Sequence, residues 1–88
     1  MKIVWDEPKR LSNLVKHGFD FADLPEAFLE TGNDIPSHSD RRLVIGHFNR
    51  RLIVVVFRPL GAEAISVISM REANRKDIER YEQALSKL

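Results

Sequence analysis

The chain has 88 residues, of which 43% are hydrophobic and 31% charged, with a formal net charge of +1, values that fit one soluble globular domain over residues 1–88. The absence of cysteine excludes disulfides, thiol nucleophiles and cysteine-ligated zinc. The longest apolar run, "LIVVVF", is far short of the roughly 20 residues that span a bilayer, and "MKIVWDEP" offers no secretory signal, so the expected location is the cytoplasm.

The stretch "KIVW" reads as a first strand. "DEPKRLSNLVKHG" carries helix punctuation: Asp6 or Glu7 as cap, Pro8 in the first turn, and Gly18 able to take the left-handed conformation at the end. Leu11, Leu14 and Val15 at i, i+3, i+4 predict an apolar stripe. "DFADLPEAFLETG" predicts a second helix with Asp20 as cap and Gly32 as stop, broken at Pro25. From residue 33 the period changes to two. "NDIPSHSD" is a weak edge strand or loop because Pro36 cannot donate to a ladder. "RRLVIGHF", the turn "NRR" and "LIVVVFRP" predict a hairpin whose second strand is central, and "EAISVISMR" a further strand. "NRKDIERYEQALSKL" closes the chain as a helix with Ile78, Tyr81, Leu85 and Leu88 on one stripe, and Asn74 with Asp77 resembles a capping box. The expected order is β-α-α-β-β-β-α, an α+β domain with helices packed on an antiparallel sheet.

The modest net charge hides a division. Residues 1–40 carry four Lys/Arg against eight acids, whereas residues 41–88 carry ten against five, eight of the ten being arginine. Such an arginine-rich half suits phosphate or carboxylate recognition through the guanidinium fork, and equally a surface laced with ordinary ion pairs. Within each strand, alternation groups Ile65, Val67, Ser69 and Arg71 on one face, likewise Arg42, Val44, Gly46 and Phe48, and likewise Leu52, Val54, Val56 and Arg58. Gly46 permits a close approach to the sheet or a bulge.

No phosphate-binding loop, dinucleotide fingerprint or metal motif is present, and His17, His38 and His47 fall on separate elements. Chemistry in this chain therefore runs on Lys, Arg, His and Tyr, with no cofactor and no metal expected. RNA cleavage suits that set, because the ribose 2′-OH is itself the nucleophile and the protein need only position, neutralise charge and move protons. Each candidate also has a plain structural role. His17 and Lys16 gain from the helix dipole, Trp5 suits the core, Tyr81 lies on an apolar stripe, Lys9 and Asn13 share an exposed face, and Asp6 is a cap.

Taken together, "WDEPKRLSNLVKHGFDF" resembles the opening signature of the BrnT-type toxins of bacterial toxin–antitoxin systems, through Trp5, Asp6, Lys9, Asn13, Lys16, His17, Gly18 and Phe21. "RRLVIG", with Arg42 and Gly46, and "ISVISMREANRKDIERY", with Ile68, Ser69, Arg71, Ala73 and Tyr81, are similar to later stretches of that family. The resemblance implies a compact RelE-like fold and a metal-independent endoribonuclease that inhibits translation. It implies a BrnA-type antitoxin as partner in a hetero-oligomer, with operator DNA contacted only through the antitoxin. By position it implies Lys16, His17, Arg42, Arg71 and Tyr81 as catalytic candidates, with Arg42 and Arg71 clamping the scissile phosphate and His17 carrying a proton. Lys9, Arg41, Arg58 and Arg75 are the RNA-binding candidates. Asp77 departs from the family's usual glutamate, which implies a weaker cap on the last helix.

Two other readings stay open at this level. One is a catalytically inactive module that binds an antitoxin or nucleic acid without cleavage, recognisable by salt-sensitive binding with no product. The other is a DNA-binding repressor, against which stand the acidic side chains Asp20, Asp23, Glu26 and Glu30 on the N-terminal helices.

Overall fold

A computed structural model describes residues 1–37 and 39–87, so His38 and the Leu88 end of the last apolar stripe lie outside the described residues. The elements run β1 (Lys2–Trp5), α1 (Glu7–His17), a 3₁₀ turn (Phe21–Asp23), α2 (Glu26–Thr31), β2 (Asn33–Pro36), β3 (Arg42–Phe48), β4 (Arg51–Leu60), β5 (Ala64–Glu72) and α3 (Arg75–Ser86). The weak segment after residue 33 is a true strand, β2, at the sheet edge, where Pro36 forfeits no ladder bond. The expected break at Pro25 also forms: the 3₁₀ turn precedes it and α2 follows.

The five strands lie in the order β1-β5-β4-β3-β2. The sheet is mixed rather than antiparallel, because β1 pairs in parallel with β5, the strand farthest from it in sequence, from Lys2↔Ala64 to Trp5↔Val67. β2 to β5 are antiparallel neighbours.

One face is covered by the N-terminal helical segment. Phe19, Phe21, Leu24 and Phe28 pack there against Val44, Ile53, Val55, Phe57, Ile65, Val67 and Met70, with Trp5 and Ile3 at the rim. At about 1.5–3 kcal/mol for each fully buried large apolar side chain, this layer dominates stability. Gly46 lets the two layers approach closely: a Cβ there would stand 3.1 Å from the Phe28 ring and 3.3 Å from Gly32 Cα. The opposite face has a smaller cluster, Leu43, Ile45 and Val54, with Tyr81 of α3 and Ala73 packed on it. Because α3 lies over this part, the β5 side of that face is left open.

A bulge decides what that open side displays. Val56 pairs with Ser69 and Phe57 with Val67, so Ile68 is the inserted residue. Strict alternation would keep Ile65, Val67, Ser69 and Arg71 on one face, and the bulge overturns this. Ile65, Val67 and Met70 face the N-terminal helices, whereas Ser69 and Arg71 face the α3 side, opposite Val56 and Val54.

The β3–β4 hairpin turns on Asn49 (φ 49°) and Arg50 (φ 68°), both left-handed. Such a turn favours Asn-Gly, since an L side chain in this conformation costs about 1–2 kcal/mol. Arg50→Gly is expected to stabilise the chain by about 0.5–1 kcal/mol, which urea denaturation would show as a higher midpoint with an unchanged slope.

Candidate active site

Helix α1 begins on Asp6, whose carboxylate accepts from the Lys9 backbone N–H at 3.3 Å, and ends on Gly18 at φ 78°. Arg10 ties it to the following turn, donating to Glu7 at 2.6 Å and to Asp20 at 2.8 and 3.0 Å. These bonds hold Glu7 below the usual carboxylate range, Arg10 first and Trp5 second, while Asp20 is lowered by the Ala22 N–H and then by Arg10. The guanidinium of Arg10 is correspondingly raised, by Glu7 and then Asp20.

The helix is turned the opposite way to its apolar stripe. Val15 is 90% exposed and Leu11 50%, whereas Asn13 is 7% exposed and is the buried residue of α1. The expectation of an exposed Asn13 therefore fails. Its amide donates to Met70 O at 2.9 Å and to Phe19 O at 3.0 Å, and its carbonyl accepts from Met70 N at 3.1 Å. β1 stops pairing with β5 at Val67, and beyond the bulge Asn13 gives Met70 the donor and acceptor that a neighbouring strand would have supplied.

With α1 fixed there, a groove opens along β5 on the face not covered by the N-terminal segment. One part is lined by Lys9, Ser12, Asn13, Lys16, His17, Ile68 and Ser69, with a volume of about 270 Å³. The adjoining part, about 350 Å³, is lined by Asp6, Lys9, Arg41, Arg58, Ser66, Val67 and Ile68. Lys9 and Ile68 border both, which makes them one continuous channel. Lys9, Lys16, His17, Arg41 and Arg58 are thus brought together from two elements and a loop. Among the described residues, Arg58 makes only a loose, exposed contact with Asp40 at 3.9 Å, the kind worth less than about 1 kcal/mol.

Arg71 stands on the same sheet face, next to Ser69, and is clamped by α3. Its Nη1 donates to Asp77 Oδ2 at 2.7 Å. The same carboxylate accepts from Asn74 N at 2.8 Å, and Asn74 Oδ1 accepts from Asp77 N at 3.0 Å. The capping box is complete, so the expectation that aspartate weakens this cap is corrected: its shorter reach closes both bonds. Burial, at 4% exposure, works to raise the Asp77 carboxyl, but the Arg71 and Asn74 hydrogen bonds outweigh it and hold the group below its ordinary value.

Other candidates lie apart. Arg42 pairs across the sheet with Phe57, on the face of the N-terminal helices, and binds Asp34 at 2.8 Å. It lines a separate cavity of about 180 Å³ with Met1, Leu29, Val44 and Ile65. Arg42 and Arg71 therefore project from opposite faces and do not form the expected clamp about one phosphate. Tyr81 is half-buried beneath α3, its ring edge-on to His47 with centroids 5.7 Å apart. Arg75 is exposed at the start of α3. Sequence reasoning does not single out Ser66 and Asn13 for the groove or His47 beside Tyr81. A signal for the bulge exists in the apolar spacing Ile65, Val67, Met70, which steps by two and then by three.

Lysine, arginine and histidine side chains thus line one groove on a sheet face, over a floor that includes Ser66 and Ser69, a set whose charge suits a phosphate backbone. Residues 5–77 match the family described as the ribonuclease toxin, BrnT, of type II toxin–antitoxin systems, and the chain belongs to that family. Among solved structures it is similar to the Brucella abortus ribonuclease toxin BrnT, with 53% identity, a TM-score of 0.81, and coverage of 85% of this chain and 99% of that one. No curated protein matches the chain. Family membership makes it a ribonuclease toxin, with an RNA substrate and an antitoxin partner.

The Arg71–Asp77 clamp has a testable pH signature. A carboxyl lowered by folding contributes stability above its unfolded value of about 3.9 and loses it as pH falls through the lower folded value. Asp77→Asn is expected to cost about 1–3 kcal/mol at pH 7. Urea denaturation should show that difference from the parent chain shrinking as pH falls below about 4, where the unfolded chain takes up the Asp77 proton before the folded one does.

Proposed function

We propose that the chain cleaves RNA without a metal, in the groove between α1 and β5, by attack of a ribose 2′-OH on the adjacent phosphate. The observation that carries this is the convergence of Lys9, Lys16, His17, Arg41 and Arg58 on one channel. In the step proposed, the 2′ oxygen bonds to phosphorus and loses its proton to a base. The bond from phosphorus to the 5′ oxygen breaks, and that oxygen receives a proton. The products are a 2′,3′-cyclic phosphate and a 5′-hydroxyl.

Each side chain has a role in this reading. Lys9, Arg41, Arg58 and Arg75 hold flanking phosphates, and their fixed charges lower affinity as salt rises. Lys16 and Arg71 face the phosphate on which charge builds, where positioned cations stabilise the transition state. His17 moves a proton, since an imidazole can both accept and donate one. Tyr81, packed beside His47, supports the far end of the site. Arg42 is left outside this constellation by the face it occupies.

The same proposal gives the domain the RelE-like label, on the strength of a sheet with the N-terminal helical segment on one face and α3 beside a basic groove on the other. It places the protein in the cytoplasm, where translation occurs; among the described residues no helix is long and apolar enough to cross a membrane. It also makes the antitoxin a BrnA-type protein in a hetero-oligomer that alone touches operator DNA. The acidic Asp23, Glu26 and Glu30, exposed on the helices of the opposite face, would repel a duplex there.

The test is cleavage of RNA by the chain freed from its antitoxin, in excess chelator, alone and with translating ribosomes. Cyclic phosphate ends are expected, with activity reduced at least about 100-fold in Lys16→Ala and Arg71→Ala and by less than about threefold in Arg42→Ala. RNA left intact in both settings by a folded chain, yet bound in a salt-sensitive manner, would instead establish a binding module. Cleavage abolished by the chelator would refute the metal-free step.

A further inference from the structure

We infer that Asn13 is a positioning residue for cleavage, the single side chain that sets the α1 cations against β5. The inference rests on the reading that the groove holds the RNA. Helix α1 is not seated by apolar burial, since Leu11, Leu14 and Val15 are all exposed. Its buried anchor is the Asn13 amide, which takes both backbone groups of Met70 and the carbonyl of Phe19, at 2.9–3.1 Å.

Lys9, Lys16 and His17 stand at i−4, i+3 and i+4 from this anchor, and residues at those offsets share a helix face. All three line the groove whose wall Asn13 also forms. Fixing residue 13 against Met70 therefore fixes the rotation and height of the three cations relative to Ser69 and Arg71. The geometry admits little else. Aspartate lacks the two donors, alanine lacks every contact, and glutamine keeps the amide but lengthens the link by one carbon–carbon bond, about 1.5 Å. A displacement near 1 Å at a reacting centre can cost about 100-fold in rate.

Steady-state kinetics on RNA, with the antitoxin removed and at a temperature where each variant is folded, tests this. The variants are Asn13→Ala, Asn13→Gln, the Lys16→Ala/His17→Ala double change, and that double change combined with Asn13→Ala or with Asn13→Gln. Asn13→Ala and Asn13→Gln are expected to lower kcat by about 10- to 100-fold, with KM moving much less. Added to the Lys16→Ala/His17→Ala background, either Asn13 change should lower kcat by less than about threefold, because residues acting as one unit are not additive.

A full loss in both backgrounds would show that Asn13 acts independently of those cations, and would overturn the inference. So would undiminished kcat in Asn13→Ala and Asn13→Gln while the double change is slow. A double change with the parent rate would refute the groove reading itself, and the inference with it. Should Asn13→Ala fail to fold, Asn13→Gln, which retains the amide, decides the question through its kcat in the two backgrounds.

Discussion

The free edge of β5 beyond Val67 is the constraint around which the basic side of the molecule is organised. β1 is only four residues long and pairs with the first part of β5. The rest of β5 would expose unpaired backbone to a buried setting, where each unsatisfied group costs about 1–3 kcal/mol. Asn13 resolves this by presenting an amide donor and a carbonyl acceptor to Met70. A helix thereby occupies the place of a strand, and the cations of that helix come to lie along the sheet. One side chain thus meets the backbone requirement of β5 and anchors the helix that carries those cations.

The bulge at Ile68 is the second half of the same arrangement. Without it, Arg71 would lie among the buried side chains Ile65 and Val67. With it, Met70 fills the core and Arg71 emerges beside Ser69, against α3. The carboxylate of Asp77 then serves two purposes, closing the cap of α3 and holding the Arg71 guanidinium. Bulges commonly re-aim a side chain near a functional site. Here the re-aimed residue is Arg71, on the same sheet face as Ser69, which lines the groove. The groove collects Lys9 and Lys16 from the acidic half of the chain and Arg41 and Arg58 from the basic half, while Asp23, Glu26 and Glu30 are exposed on the N-terminal helical segment.

Much of this is legible in the residues, for local reasons. Asp6, Gly18, Pro25, Asn74 and the glycine at position 46 each act within a few residues of themselves or through a missing side chain, so their effect can be read directly. The family signature places Lys16 and His17 together with Asn13, but periodicity assigns α1 its burial by counting leucines. That count fails because the helix is held by hydrogen bonds rather than by apolar area. The parallel pairing of β1 with β5 joins residues about sixty positions apart, and no local pattern specifies it. Strand motifs group Arg42 with Arg71. Only the register, which sets Arg42 opposite Phe57 and Arg71 opposite Val54, separates them to different faces.

Binding of a non-cleavable RNA, one carrying 2′-O-methyl groups, tests the placement of the substrate most directly when followed by backbone amide NMR. The largest shifts are expected at Lys16, His17, Ser66, Ile68 and Ser69, with Asp34, Arg42 and Val44 unmoved. Shifts centred instead on Asp34 and Arg42, with the α1–β5 groove silent, would put the RNA on the other face of the sheet and contradict this account.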